Sequence, residues 1–316
     1  MKLPKLNFLD TLKFMLKILF IFLLFSNIVH AKPIKVAVLD TGIDLYDFPY
    51  PKQLQLGSVT QYGKSYTLQD SNTPGHGTHV AGTIIERSRD NVIIIPFKVF
   101  DLGAAINRIE NLSLNETEKG EQFATTIRYA KKLGARIINI SGGSNRFYPA
   151  DYEIIKNSPK TLFVVAAGNN VFEKWEENPK FEGPQDLDLF QIAAEAKFNF
   201  HKYNFYPCAF SLPNVVCVGN AAKDDKGQMK IISNYGSMFV DLFANGENLL
   251  APVVGGDREF MSGSSMATPQ VTALFAKEWF KNPKLNIKQL KEKVFSQLTK
   301  YPELESKSKT GLFLDQ

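Results

Sequence analysis

The chain has 316 residues, 44% of them apolar, and a formal charge of +5. Four lysines and one aspartate fall in residues 1–31, so about +3 of the charge lies there and about +2 on the remainder. That balance gives no reason to expect nucleic acid or an anionic surface as partner, and no low-complexity tract or internal repeat interrupts the chain.

The N-terminus reads as a leader. Met1-Lys2-Leu3-Pro4-Lys5, Lys13 and Lys17 precede the run Ile18-Leu19-Phe20-Ile21-Phe22-Leu23-Leu24-Phe25, and Val29-His30-Ala31 supplies a small-x-Ala cut site. This is the pattern of a secretory signal peptide. A retained anchor is the rival reading, but the apolar run is about ten residues and a spanning helix needs roughly 20. Residues 32–316 are expected to form one large domain with ample length for a full core. They are expected to be secreted or periplasmic, with no membrane attachment once the leader is removed.

Residues 34–39 are apolar on both faces, as a buried parallel strand should be, and they end at Asp40-Thr41-Gly42-Ile43-Asp44. Gly75-His76-Gly77-Thr78-His79-Val80-Ala81-Gly82 then opens a helix predicted over residues 76–86. A strand is predicted at 92–99, a polar loop at 107–120 and a helix at 122–133. A strand follows at 136–140, leading into Ser141-Gly142-Gly143, and then a helix at 152–157. The strand at 162–167 includes Ala166-Ala167 and runs into Gly168-Asn169. A long charged loop, 171–206, precedes Cys208 and a strand at 215–218 that carries Cys217. Gly263-Ser264-Ser265-Met266-Ala267-Thr268-Pro269 opens a further helix, with Pro269 expected in the first turn, and residues 286–298 carry the pattern of a covering helix. Strands alternating with helices of this length indicate crossover units. The fold class is therefore three-layer α/β/α with a mostly parallel central sheet. Sites in such sheets lie beyond the carboxyl ends of strands, where Asp40, Ser141 and Asn169 all fall.

Asp40, His76 and Ser265 supply an acid, a base and a nucleophile. A serine hydroxyl is a weak nucleophile until a neighbouring base takes its proton, and the base needs an orienting partner. Gly263 and Ser264 leave room for a substrate backbone, and a helix starting at Ser265 aims N–H groups and positive dipole at the reacting carbonyl. Each motif has a bland alternative: Asp40 a strand-end cap, Ser265 part of a small-residue turn, and His76 with His79 a metal pair. No glutamate follows Gly75-His76 in zincin fashion, so no metal site is expected, and His79 reads as a structural partner. Asp44 and His201 read as ordinary loop residues. The sequons at Asn111, Asn115 and Asn139 carry no weight. Cys208 and Cys217 allow one disulfide in an oxidising compartment, with two buried thiols as the alternative.

The three motifs together, in the order Asp, His, Ser, resemble those of the subtilisin-like serine peptidases, the subtilases. The resemblance covers residues 34 to about 297 and implies a serine endopeptidase acting through an acyl-enzyme on protein or peptide substrates. It implies that Asn169 completes the oxyanion hole with the Ser265 N–H. It also implies that residues 139–143 pair with an extended substrate. Ser141, Gly142, Gly143, Ala166, Ala167 and Gly168 would flank the pocket for the residue before the scissile bond, with an apolar preference. Structural calcium is implied by the resemblance alone. Ser264 stands where threonine is usual, and residues 240–246 depart from the usual loop. Only residues 32–39 separate the expected cut from Asp40, so maturation is expected to be signal removal alone. The chain would then fold without a covalent pro-domain or with a partner supplied in trans, and export, a separate inhibitor or the 171–206 loop would restrain its activity. A catalytically silent binding protein on the same scaffold is the alternative function.

Overall fold

The computed structural model describes residues 32–56, 60–61, 64–65, 68–70, 74–99, 116–144, 146–169 and 205–315. The leader reading at 1–31 and the body of the 171–206 loop lie outside them. All described residues but Lys32 belong to the unit Pro33–Gln316.

The chain order is β1 (Ile34–Asp40), β2 (Thr60–Gln61), β3 (Lys64–Ser65), α1 (His76–Ser88), β4 (Val92–Lys98), α2 (Glu116–Lys132), β5 (Ile137–Ile140), α3 (Pro149–Lys156) and β6 (Leu162–Ala166). Then come β7 (Val215–Lys223), β8 (Met229–Ile231), β9 (Leu242–Ala244), β10 (Leu249–Pro252), β11 (Arg258–Met261), α4 (Ser264–Lys281), α5 (Ile287–Phe295), β12 (Thr299–Lys300) and β13 (Leu312–Leu314). The main sheet runs β12-β13-β9-β7-β6-β5-β1-β4, with β8 beside β7. Every pairing from β4 to β13 is parallel, and only β12 and β8 join antiparallel. The mostly parallel α/β sheet expected from the sequence is present.

The period-two geometry of a strand explains why β1 has no polar face. Ile34, Val36 and Val38 pack with Val80 and Ile84 of α1, Val271, Phe275 and Trp279 of α4, and Leu290 and Val294 of α5. Ala37 and Leu39 pack on the opposite side with Ile127 and Ala130 of α2 and Ile155 of α3. Each fully buried Val, Leu, Ile or Phe side chain among them contributes about 1.5–3 kcal/mol. The two cores sandwich the sheet, and both are built from alternate residues of the same strands.

The predicted strands and helices lie where the pattern places them, with shifted ends. α2 begins at Glu116, so residues 116–120 are helix rather than loop. Pro269 is the sixth residue of α4, not part of its first turn. Having no N–H, it leaves the Ser265 carbonyl without its i+4 donor. α5 starts as expected: Asn286 accepts from the Gln289 N–H, and the Gln289 side chain bonds back to Asn286. The C-terminal residues add β13 in parallel to β9, an addition too short to show as a pattern.

Cys208 and Cys217 are paired as a disulfide, Cα atoms 5.0 Å apart and nine positions apart in sequence. In the chain-entropy account a loop this short is worth about 2–3 kcal/mol. Reduction is therefore expected to lower unfolding free energy by that amount in urea titrations. Alkylation of the denatured, unreduced protein should modify neither cysteine; two modified thiols would overturn the pairing.

Candidate active site

Asp40 is the last residue of β1, and its side chain is fully buried. Its Oδ1 accepts from the Thr41 N–H at 2.8 Å and from His76 Nδ1 at 2.7 Å. Nδ1 therefore carries the proton and Nε2 is left as the basic nitrogen. His76 is the first residue of α1, and the helix start is pressed onto the strand end. The Gly77 N–H donates to Thr41 Oγ1 at 2.8 Å, and a Cβ on Gly77 would sit 2.3 Å from the Gly42 carbonyl oxygen. Only glycine permits that approach, and the approach brings imidazole to carboxylate.

Behind this pair lies Asp70, which the sequence analysis did not single out. It is buried, and its Oδ2 accepts from both the N–H and the hydroxyl of Thr78, at 3.0 and 2.9 Å. A carboxylate on these first-turn groups stabilises the helix start, as charge and dipole require. Burial by itself would lower the pKa of His76. The charge of Asp40, its hydrogen bond and the charge of Asp70 outweigh burial, and the pKa is raised above the ordinary histidine value.

Asp44 lies in the loop after β1, as expected, but it is buried rather than at the surface. Its carboxylate accepts from the N–H groups of Tyr46, Asp47 and Gly255, tying the segment after β1 to the turn between β10 and β11. Burial opposes the charge, but those donors prevail and hold the pKa below the usual carboxylate value. His79 is buried as a structural partner: Nε2 lies 2.9 Å from the Leu249 carbonyl and 3.3 Å from that of Glu259. Burial lowers its pKa more than those carbonyls raise it.

Ser265 is the second residue of α4, behind Gly263 at φ 142°. Its N–H belongs to the first turn, where helices have no internal acceptor. Its Oγ donates to the Ser141 carbonyl at 2.8 Å, and no hydrogen bond joins it to His76. Ser141 is held by a buried polar chain that the sequence did not reveal: Thr272 Oγ1 donates to Asn139 Oδ1 at 2.7 Å, and Asn139 Nδ2 donates to Ser141 Oγ at 3.0 Å. The chain fastens the end of β5 to α4, and Asn139 itself is wholly buried. The Ser264 N–H donates to Asn169 Oδ1 at 3.1 Å, which leaves Asn169 Nδ2 as a donor beside the start of α4. Ser141, Gly142 and Gly143 follow β5, while Ala166 closes the neighbouring β6 and leads into Ala167, Gly168 and Asn169. The site residues thus meet as three bonded pairs at adjacent strand ends: Asp40 with His76, Ser265 with Ser141, and Asn169 with Ser264. Among the described residues, no group of three or more His, Cys, Asp or Glu could hold a metal ion.

The model of the subtilase family matches residues 31–312. This chain belongs to the subtilase family. It is 30% identical over 259 residues to an intracellular serine protease of Paenibacillus polymyxa, covering 79% of this chain and 68% of that one. It is equally identical over 260 residues to the major intracellular serine protease of Bacillus subtilis, covering 78% and 69%. Subtilisin-like protease 6 of Trichophyton schoenleinii is 27% identical, and the chain spans only 52% of its length. A solved cold-adapted subtilisin-like serine proteinase superposes with a TM-score of 0.63 over 91% of each chain at 22% identity. A structure from the subtilase cytotoxin SubAB assembly gives 0.64 over 90% and 87%, at 20% identity. These likenesses establish the subtilisin fold, and the family establishes a serine peptidase.

Proposed function

We propose that this subtilase is an exported serine endopeptidase whose triad is Asp40, His76 and Ser265. The observation that carries the reading is the 2.7 Å bond from His76 Nδ1 to the buried Asp40 carboxylate, which leaves Nε2 free to accept a proton. The other parts of the site fit it. An extended substrate whose N–H bonds the Ser141 carbonyl displaces the Ser265 hydroxyl from that acceptor. The hydroxyl then turns about its Cα–Cβ bond toward His76 Nε2. Oγ attacks the scissile carbonyl as Nε2 takes the proton, and the imidazolium is stabilised by Asp40. The oxyanion that develops is met by the Ser265 N–H and Asn169 Nδ2. The protonated His76 delivers its proton to the leaving amine, and water, activated by the same imidazole, hydrolyses the acyl-enzyme.

The leader pattern at residues 1–31 supports export, and parallel-strand segments that can pair main chain to main chain support protein or peptide substrates. Incubation with an unfolded protein should give fragments with new internal N-termini; release of single terminal residues alone contradicts the endopeptidase reading. Asn169→Ala is expected to lower kcat by about 10²–10³-fold. Because the oxyanion exists only near the transition state, KM should change much less. Steady-state rates on one peptide decide it: a raised KM with kcat intact would place Asn169 in ground-state binding instead.

A further inference from the structure

The subtilase resemblance implies that the pocket for the residue before the scissile bond lies between the segments that follow β5 and β6, two strands that are neighbours in the sheet. That gap is not empty. The ring of Phe205 stands in it. A Cβ built on Gly143 would lie 2.7 Å from Cε1 and 2.9 Å from Cζ of the ring, and one built on Gly168 would lie 2.9 Å from Cδ1 and 3.0 Å from Cε1. Both glycines therefore meet the ring across the gap, one from each strand end. The ring is fixed there through its neighbour: Ser144 and Tyr206 exchange backbone hydrogen bonds of 3.0 and 2.7 Å. Tyr206 is in turn packed on Phe147 and Phe210, with centroids 5.5 and 4.9 Å away. Cys208, three residues on, is bridged to β7. Phe205 itself is only partly buried.

We propose that Phe205 is a specificity-determining residue: its ring fills the pocket for the residue before the scissile bond and restricts cleavage to small side chains there, glycine or alanine. The inference rests on the peptidase reading above and replaces the broad apolar preference expected from the sequence. The small residues at 143 and 168 make room for the ring of Phe205, not for a large substrate side chain. A well-packed aromatic does not yield its place cheaply, since protein interiors tolerate little overlap. A substrate phenylalanine must displace the ring, whereas a substrate methyl group needs far less room.

The test is a pair of peptides differing only in alanine or phenylalanine before the cleaved bond. The ratio of kcat/KM values from one preparation cancels the fraction of active protein. The wild type is expected to favour alanine by roughly tenfold or more, the scale on which a pocket separates side chains of different size. Phe205→Ala should move the ratio at least about tenfold toward phenylalanine, and Phe205→Leu, which keeps more of the packing, should fall between. A wild-type ratio near one or favouring phenylalanine overturns the inference alone. So does a ratio that neither variant moves. Absence of cleavage of any peptide by folded wild type overturns the peptidase reading, and this inference with it.

Discussion

Ser265→Ala is expected to lower kcat on a peptide substrate by about 10⁶-fold while the protein stays folded. In the proposed triad the nucleophile, base and acid act as one unit, so His76→Ala should be about as severe, and combining the two should cost little more. Some turnover above the uncatalysed rate should survive, because the proposed oxyanion donors and substrate-binding segments are untouched. Folding is expected to be spared for a structural reason. Ser265 is partly exposed, and among the described residues its hydroxyl makes one hydrogen bond, to the Ser141 carbonyl, worth about 0.5–1.5 kcal/mol net. Initial rates on one peptide, with circular dichroism on the same samples, give the answer. Rates within tenfold of wild type would remove Ser265 from the chemistry.

Asp40→Asn is expected to cost about 10⁴-fold in kcat, since a carboxamide can present an N–H to Nδ1 and turn the imidazole to the wrong tautomer. It has a second signature in pH. His76 must be neutral to accept a proton. Its raised pKa places the acid limb of kcat/KM above the ordinary histidine value of about 6.5, with activity rising as pH passes upward through it. Without the charge of Asp40, the burial that lowers this pKa is opposed only by Asp70. The limb should then shift to lower pH as the rate falls. A pH–rate profile of the variant that keeps the wild-type limb would mean that Asp40 does not face the titrating base.

How much of this was legible in the sequence depends on whether the signal is local. β1 and the strands at 92–98, 137–140 and 162–166 are short two-sided apolar runs, and burial in a parallel sheet demands that. Asp40, His76 and Ser265 announce themselves through glycines and small residues that close backbone approach requires. The three-residue strands β9 and β13 have no period to read, and their pairing is decided by distant residues. α2 starts earlier than its apolar pattern because its first turns are polar, and the sequence offers no stripe there. Asp44 and Asp70 look like any loop carboxylates until the fold closes donors around them. The Thr272–Asn139–Ser141 chain spans 133 positions in its first link, so no spacing rule could join its members. Phe205 lies at the end of a charged loop, and only the fold shows that its ring faces two glycines 62 and 37 positions upstream.

The central claim is that Ser265 is an activated nucleophile, and a fluorophosphonate probe tests it most directly. The Ser265 oxygen would displace fluoride from phosphorus, leaving one phosphonyl ester and a matching mass increase on the intact protein. Peptide mapping should place that single adduct on Ser265, and both Ser265→Ala and His76→Ala should abolish it. Folded wild-type protein that takes up no probe, or takes it up at another residue, would contradict the account and leave a silent binding protein on a subtilase scaffold.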